Sequence, residues 1–278
     1  YRSISEQVIN NLPEIDDWLE KNFIERNNLF NWSKSIKNLH RSNEAKKKQS
    51  KSFRRMVFDE LCANFLTLSE NRRRIKKVKI PKKFFYNSTN KIIKSLPFKL
   101  TYSQNKVLEE INTDLLSNKR MFRIIQGDVG SGKTIVSLLT ILNVIKSGFQ
   151  CALMSPTEIL AKQHHELASK IFKNASFKID FLTGKTKYKR KQEILSDLKS
   201  EKTKLLVGTH SLFQKKIDFN KLGLVVIDEQ HKFGVKQRSD LAKKGGNECD
   251  VLLMSATPIP RTMMMSLYGD MDVSKITE

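Results

Sequence analysis

The sequence is poor in cysteine. Its three thiols, Cys62, Cys151 and Cys249, stand far apart in 278 residues, and none is half of a C-x-x-C pair. The five histidines complete no metal-ligand spacing with them, which argues against a zinc site. Isolated thiols, and an opening YRSISEQVINN that is no signal peptide, lead us to expect a reducing, cytoplasmic setting. No apolar run is long enough to span a bilayer, so no membrane segment is expected. Glycine is missing altogether from residues 1–95. Acidic residues are outnumbered, 29 Asp and Glu against 51 Lys and Arg, for a formal charge of +22. A surplus of that size favours polyanions, nucleic acid before anionic membrane. A lysine-rich composition with no selected partner is the bland alternative. Hydrophobic content of 39% and charged content of 29% describe a folded protein with length to spare for a core. The chain lacks an initiating methionine and stops at Ile276-Thr277-Glu278, so a piece of a longer protein is expected.

What is present divides near residue 95. Before it, the sequence predicts short helices around Leu12-Pro13, Trp18, Leu19 and Phe23, then another around Phe30, Trp32, Ile36 and Leu39. A longer helix is predicted from about Ser52 to Arg74, with Phe53, Val57, Leu61, Phe65 and Leu68 on one apolar face that reads as packing on a neighbouring domain. Basic clusters flank it, Lys46 to Arg55 before and Arg72 to Lys79 after. Each reads equally as a phosphate track or as a solvated face.

After Leu96, six apolar runs alternate with helical patterns: Met121–Gln126, Cys151–Ser155, Lys178–Leu182, Lys204–Gly208, Leu222–Asp228 and Val251–Ser255. Helices are predicted over Lys133–Lys146, Glu158–Phe172, Tyr188–Lys199 and Val235–Lys243. This alternation predicts an α/β fold with a mainly parallel sheet covered on both faces. Ligands of such sheets sit at the carboxyl ends of the strands.

Two stretches carry the chemistry. Gly127-Asp128-Val129-Gly130-Ser131-Gly132-Lys133-Thr134 fits G-x-x-x-x-G-K-[ST] between a strand and a helix. Glycines permit a tight loop whose backbone N–H groups face a phosphate, and the helix N-terminus adds positive potential. Lys133 would reach the β- and γ-phosphates, and the Thr134 hydroxyl would ligate Mg²⁺. About 95 residues on, Leu224-Val225-Val226-Ile227 delivers Asp228 and Glu229 at a strand tip. Asp228 is placed to hold Mg²⁺ opposite Thr134, and Glu229 to orient and deprotonate a water. Together they predict nucleoside triphosphate hydrolysis, with Lys133, Asp228 and Glu229 catalytic.

GSGKT, Asp228-Glu229-Gln230-His231 and Ser255-Ala256-Thr257 resemble motifs I, II and III of superfamily-2 helicases. The wider wording, GDVGSGKT, SPTEILAKQH (155–164), VGTHSLF (207–213), IDEQHKFGVKQR (227–238) and SATPIPRT (255–262), closely resembles the RecG family of branched-DNA helicases. The resemblance is dense over residues 96–278 and one of layout only before that. The transcription-repair coupling factor shares several of these motifs but typically carries Glu where this chain has Gln230.

The resemblance implies a RecA-like ATP-binding motor domain over residues 96–278 behind a helical linker at 1–95. It implies that Gln104, with Phe98 near the base, selects the adenine of ATP. It makes Gln230, His231, Ser255 and Thr257 a relay between ATP state and the rest of the motor. It gives Pro156, Thr157, Thr183, Lys185, Thr209 and His210 to DNA phosphates, although Thr157 and Thr209 could be ordinary helix caps. Branched DNA, recognised by shape and charge, is the expected partner. A second RecA-like domain and a wedge domain are expected in the full-length protein, and weak hydrolysis from this piece alone. The rival readings are a coupling translocase and a DNA-binding module that uses ATP without hydrolysis.

Overall fold

The computed structural model describes residues 7–13, 15–41, 50–75, 79–83, 85–214, 216–229, 249–257 and 271–277. Two compact units divide after Asn71.

The first unit, Tyr1–Asn71, contains α1 (Lys21–Arg26), α2 (Trp32–Arg41) and most of α3 (Lys51–Ile75). Its centre is polar. Arg55 is fully buried and donates to Asp17 at 2.7 Å and to Asp59 at 2.9 Å. Trp18 stacks on Phe58 and donates its indole N–H to Asp59. One difference from the sequence reading follows: Arg55, counted in a basic cluster, is an interior ion-pair residue. In the apolar stripe of α3, Val57, Leu61 and Phe65 are 40–47% exposed, while Ser52 and Arg55 are buried.

The second unit, Arg72–Glu278, is the sheet domain. It contains α4 (Tyr86–Ser95), α5 (Tyr102–Leu116), β1 (Phe122–Gln126), α6 (Lys133–Lys146), β2 (Gln150–Met154), α7 (Glu158–Ile171) and β3 (Lys178–Leu182). There follow α8 (Tyr188–Lys199), β4 (Thr203–Gly208), a 3-10 turn at His210–Phe213, β5 (Leu222–Ile227), β6 (Asp250–Ser255) and β7 (Asp272–Lys275). Seven strands lie in the order β3-β4-β2-β5-β6-β1-β7, and every pairing is parallel. All six strands read from the sequence form, with ends within one residue. The predicted helix at Val235–Lys243 lies outside the described residues.

Period-two alternation sends successive residues of each strand to opposite faces. Leu224, Val226, Leu252 and Met254 face one apolar core with α5, α6 and Ala168 of α7. Val225, Ile227, Val251 and Leu253 face the other with Ile194 and Leu198 of α8. Each such fully buried Leu, Ile or Val contributes about 1.5–3 kcal/mol. No described helix is long and apolar enough to cross a membrane.

The seventh strand was not foreseen. Of its four residues only Val273 is apolar, and its buried Ser274 is held by Arg123 at 2.8 Å and Glu110 at 2.5 Å. One lysine before α4 also departs from the sequence reading, and a second shares its surroundings. Lys79 and Lys82 both have fully buried side chains and both donate to Asp250 at 2.7 Å. Lys79, assigned to a basic cluster, is therefore neither a phosphate contact nor a solvated charge.

Candidate functional site

The carboxyl ends of β1, β6 and β5 lie side by side, because β6 pairs with both of the others. Each carries one of the motifs. The stretch Gly127–Thr134 turns the chain from β1 into α6. Gly130 and Gly132 adopt φ values of +87° and +85°, in the left-handed region. Gly132 has a second reason to lack a side chain, since a Cβ there would collide with Nε2 of Gln104.

Gln104 reaches the loop from the first turn of α5. Its backbone N–H donates to Thr101 Oγ1 at 3.3 Å, and its Oε1 accepts from the Thr101 N–H at 3.1 Å, a capping box. Nε2 then donates to the carbonyl of Ser131 at 2.9 Å. Both ends of the amide are thus engaged by the protein, one of them by the loop itself. Phe98 is 46% exposed.

Lys133 is 9% exposed and donates to the carbonyls of Gly127 and Asp128, both at 2.7 Å. Burial draws its pKa below the ordinary lysine value, and the charges of Asp228, Glu229 and Asp128 oppose that shift. Ser131 Oγ is buried without a hydrogen-bond partner among the described residues. Val129 is 90% exposed at the loop tip. An ammonium and an orphaned hydroxyl in a glycine loop at a helix N-terminus fit an anionic ligand.

Asp228 follows β5 and is 9% exposed, its N–H donating to Met154 O at 2.8 Å. Its Oδ1 accepts from the N–H of Glu229 at 3.0 Å. Glu229 holds φ at +47°, a left-handed conformation that costs a non-glycine residue about 1–2 kcal/mol. Strain of this kind concentrates at functional sites. Among the described residues no three His, Cys, Asp or Glu side chains form a metal cluster. Thr134 and Asp228 carry hard oxygens of the type that Mg²⁺ takes in ones and twos. Ser255 Oγ lies 3.2 Å from Thr257 O and 3.1 Å from Thr257 Oγ1, and Ser255 O accepts from the Gly127 N–H at 3.3 Å. Gln230 and His231 lie outside the described residues.

The residues read as DNA contacts occupy the ends of β2, β3 and β4, the other half of the same edge. Pro156 precedes Thr157, whose hydroxyl accepts from the Leu160 N–H at 3.3 Å and caps α7. Thr183 Oγ1 accepts from the Lys185 N–H, and Lys185 Nζ pairs with Glu158 at 3.0 Å while 85% exposed. Thr209 is 2% exposed, and its hydroxyl has no partner among the described residues. His210 is exposed. Arg190, which follows in the same basic stretch, donates to buried Asp180 at 2.6 Å.

One site residue escaped the sequence reading. His164 of α7 places Nε2 at 2.7 Å from Asp228 Oδ2. A signal existed, because Ala161, His164 and Ala168 fall on one buried helical face where a lone histidine requires a partner.

Comparison with known proteins agrees with this geometry. The family described as DEAD/DEAH box helicase matches residues 101–265. The ATP-dependent DNA helicase RecG of Aquifex aeolicus is 43% identical over 99% of this chain and 35% of its own length. RecG of Bacillus subtilis is 40% identical over 98% of this chain and 39% of its own. A solved structure of RecG bound to a three-way DNA junction superposes with a TM-score of 0.75 at 36% identity, over 99% of this chain and 37% of that one. The chain thus spans about a third of the length of the relatives it matches.

Proposed function

The chain belongs to the DEAD/DEAH box helicases, within them to the RecG family, and on that premise we propose that it is the ATP-binding motor domain of a helicase that remodels branched DNA. The observation that carries this reading is the meeting of the glycine loop, Asp228-Glu229 and Ser255-Thr257 on three adjacent strand ends. We assign residues 96–278 to the motor and 1–95 to a helical linker, whose last segment, from Arg72, packs as part of the sheet domain. A cytoplasmic setting accords with a DNA substrate.

In this reading the loop's N–H groups and Lys133 bind the β- and γ-phosphates of ATP. Lys133 exchanges its contacts to the Gly127 and Asp128 carbonyls for phosphate oxygens. Thr134 and Asp228 hold Mg²⁺, which when bound neutralises charge on the phosphates. Glu229, half-buried beside Asp228, orients a water and accepts its proton. Gln104 meets the adenine by exchanging one of its present bonds. Ser255 and Thr257, with Gln230 and His231, relay the state of the nucleotide. Phosphates of DNA lie along the ends of β2, β3 and β4, held by backbone N–H groups, Lys185 and His210. The capping hydroxyl of Thr157 holds its loop in shape, and the buried Thr209 hydroxyl stands beside it at the end of β4. Such contacts position a duplex without reading its sequence. Relatives that carry the RecG name favour this reading over a coupling translocase.

The test is Glu229→Gln in the full-length protein. We expect ATP to bind normally while hydrolysis and fork remodelling fall roughly 10²–10⁴-fold, the range for loss of a general base. Undiminished remodelling would mean that ATP serves only a structural role.

A further inference from the structure

The carboxylate of Asp228 is held from two sides. Oδ1 accepts the Glu229 N–H, and Oδ2 meets Nε2 of His164 at 2.7 Å. A carboxylate only accepts, so Nε2 is the nitrogen that carries hydrogen and donates. The two partners come from different elements, the strand-end turn and helix α7. Both side chains are shielded, at 10% exposure for His164 and 12% for Asp228. Ala161 and Ala168 flank His164 on the buried face of α7, and neither can reach across to the carboxylate. Of these three buried residues it is the imidazole that reaches Asp228.

A packing role would ask only for volume at this position. The geometry asks for more, because the histidine meets one oxygen at hydrogen-bond distance while the other is already engaged. A carboxylate offers about four lone-pair sites, so both oxygens keep capacity for a cation or its water. Fixing the group before the cation arrives removes the freedom it would otherwise lose on binding.

We propose that His164 is a positioning residue, which holds Asp228 in the orientation that receives Mg²⁺ and so sets the cation requirement of nucleotide binding. The inference rests on the assignment of Asp228 to the Mg²⁺ site. It gives α7 two duties. Its N-terminus begins at Thr157 in the segment assigned to DNA, and its second turn carries the histidine that steadies the cation ligand.

The experiment titrates MgCl₂ against a fixed concentration of fluorescent ATP analogue, in the unaltered chain and in the variants His164→Met and His164→Gln. Methionine fills the space without a donor, whereas glutamine keeps an N–H within reach of Oδ2. Loss of a ligand's supporting hydrogen bond typically weakens a metal site by about 10–100-fold. The Mg²⁺ midpoint of His164→Met should therefore rise about tenfold or more, with glutamine restoring most of the loss. Binding of the analogue in EDTA should be the same in all three. A wild-type midpoint in His164→Met overturns the proposal, as does an equal defect in His164→Gln, which would indicate packing alone. Should the methionine variant fail to fold, His164→Asn, whose amide stops short of Oδ2, replaces it with the same expectation. If the unaltered chain binds the analogue with no dependence on Mg²⁺, the assignment of Asp228 itself fails, and the inference with it.

Discussion

The side-chain amide of Gln104 donates to the carbonyl of Ser131 at 2.9 Å, so the first turn of α5 is tied directly to the glycine loop. The loop is held from outside as well as by its own backbone. Gln104 stands where a side chain on Gly132 would go, and Gly132 holds φ at +85°.

Gly132→Ala should therefore be costly in two ways. The left-handed backbone opposes a Cβ, at about 1–2 kcal/mol, and the Cβ must displace Gln104. Nucleotide affinity should fall about tenfold or more, the scale of those 1–2 kcal/mol. Gln104→Ala in the same chain should recover only part of the loss, since the backbone strain persists and the contact proposed for the adenine is removed. Equilibrium binding of a fluorescent ATP analogue to both variants gives the answer, and full recovery would show that the clash alone matters.

Asp250 carries two buried ammoniums. Lys79 and Lys82 donate to its two oxygens, and the backbone N–H of Met121 donates to it at 2.7 Å. Burial pulls the pKa of Lys79 down, and Asp250 opposes that shift. Asp250→Ala removes the carboxylate that both buried cations share, and breaking a buried ion pair typically costs about 3–5 kcal/mol. Urea unfolding followed by far-UV circular dichroism should show the loss. Adding Lys79→Met and Lys82→Met to that variant should restore much of it, because a well-packed apolar cluster can replace a buried ion pair.

The first unit should be sensitive to acid. The Arg55 guanidinium hydrogen-bonded to Asp17 holds its carboxyl at about 2, down from 3.8. A carboxyl depressed in the folded state contributes stability that is complete above the unfolded value. That stability drains as pH falls from about 4 towards 2, and it amounts to about 2 kcal/mol. Trp18 and Trp32 are the chain's two tryptophans and both lie in this unit, so their fluorescence reports it selectively. Asp17→Asn should be less stable at neutral pH, and the gap to the unaltered chain should narrow as pH falls through that window. A constant gap would show that the ion pair contributes nothing.

Much of this was legible in the residues, for identifiable reasons. The glycine loop and the Asp228 strand announce themselves because their chemistry depends on local spacing, and LGLVVI can be little other than a strand buried on both faces. What stayed hidden depends on residues distant in sequence. His164 meets Asp228 across 64 positions, and Lys79 meets Asp250 across 171. No periodicity encodes such pairs. A run of lysines therefore read as surface charge when one of them was interior. Strand β7 gives no apolar signal because its buried contact is polar, Ser274 against Arg123, and Val273 is its one apolar residue. Gln104 was assigned to adenine from resemblance, and the capping box that turns its amide to the loop was visible in Thr101-x-x-Gln104.

The decisive experiment is calorimetric titration of ATP with MgCl₂ into this chain and into its Lys133→Ala variant. The ammonium of Lys133, buried in the loop and facing the charges of Asp228 and Glu229, is assigned to the β- and γ-phosphates. Loss of a charge-assisted hydrogen bond, about 1.5–3 kcal/mol, predicts binding by the unaltered chain and at least tenfold weaker binding by the variant. Equal affinity in the two would contradict the assignment of Gly127–Thr134 as the nucleotide site.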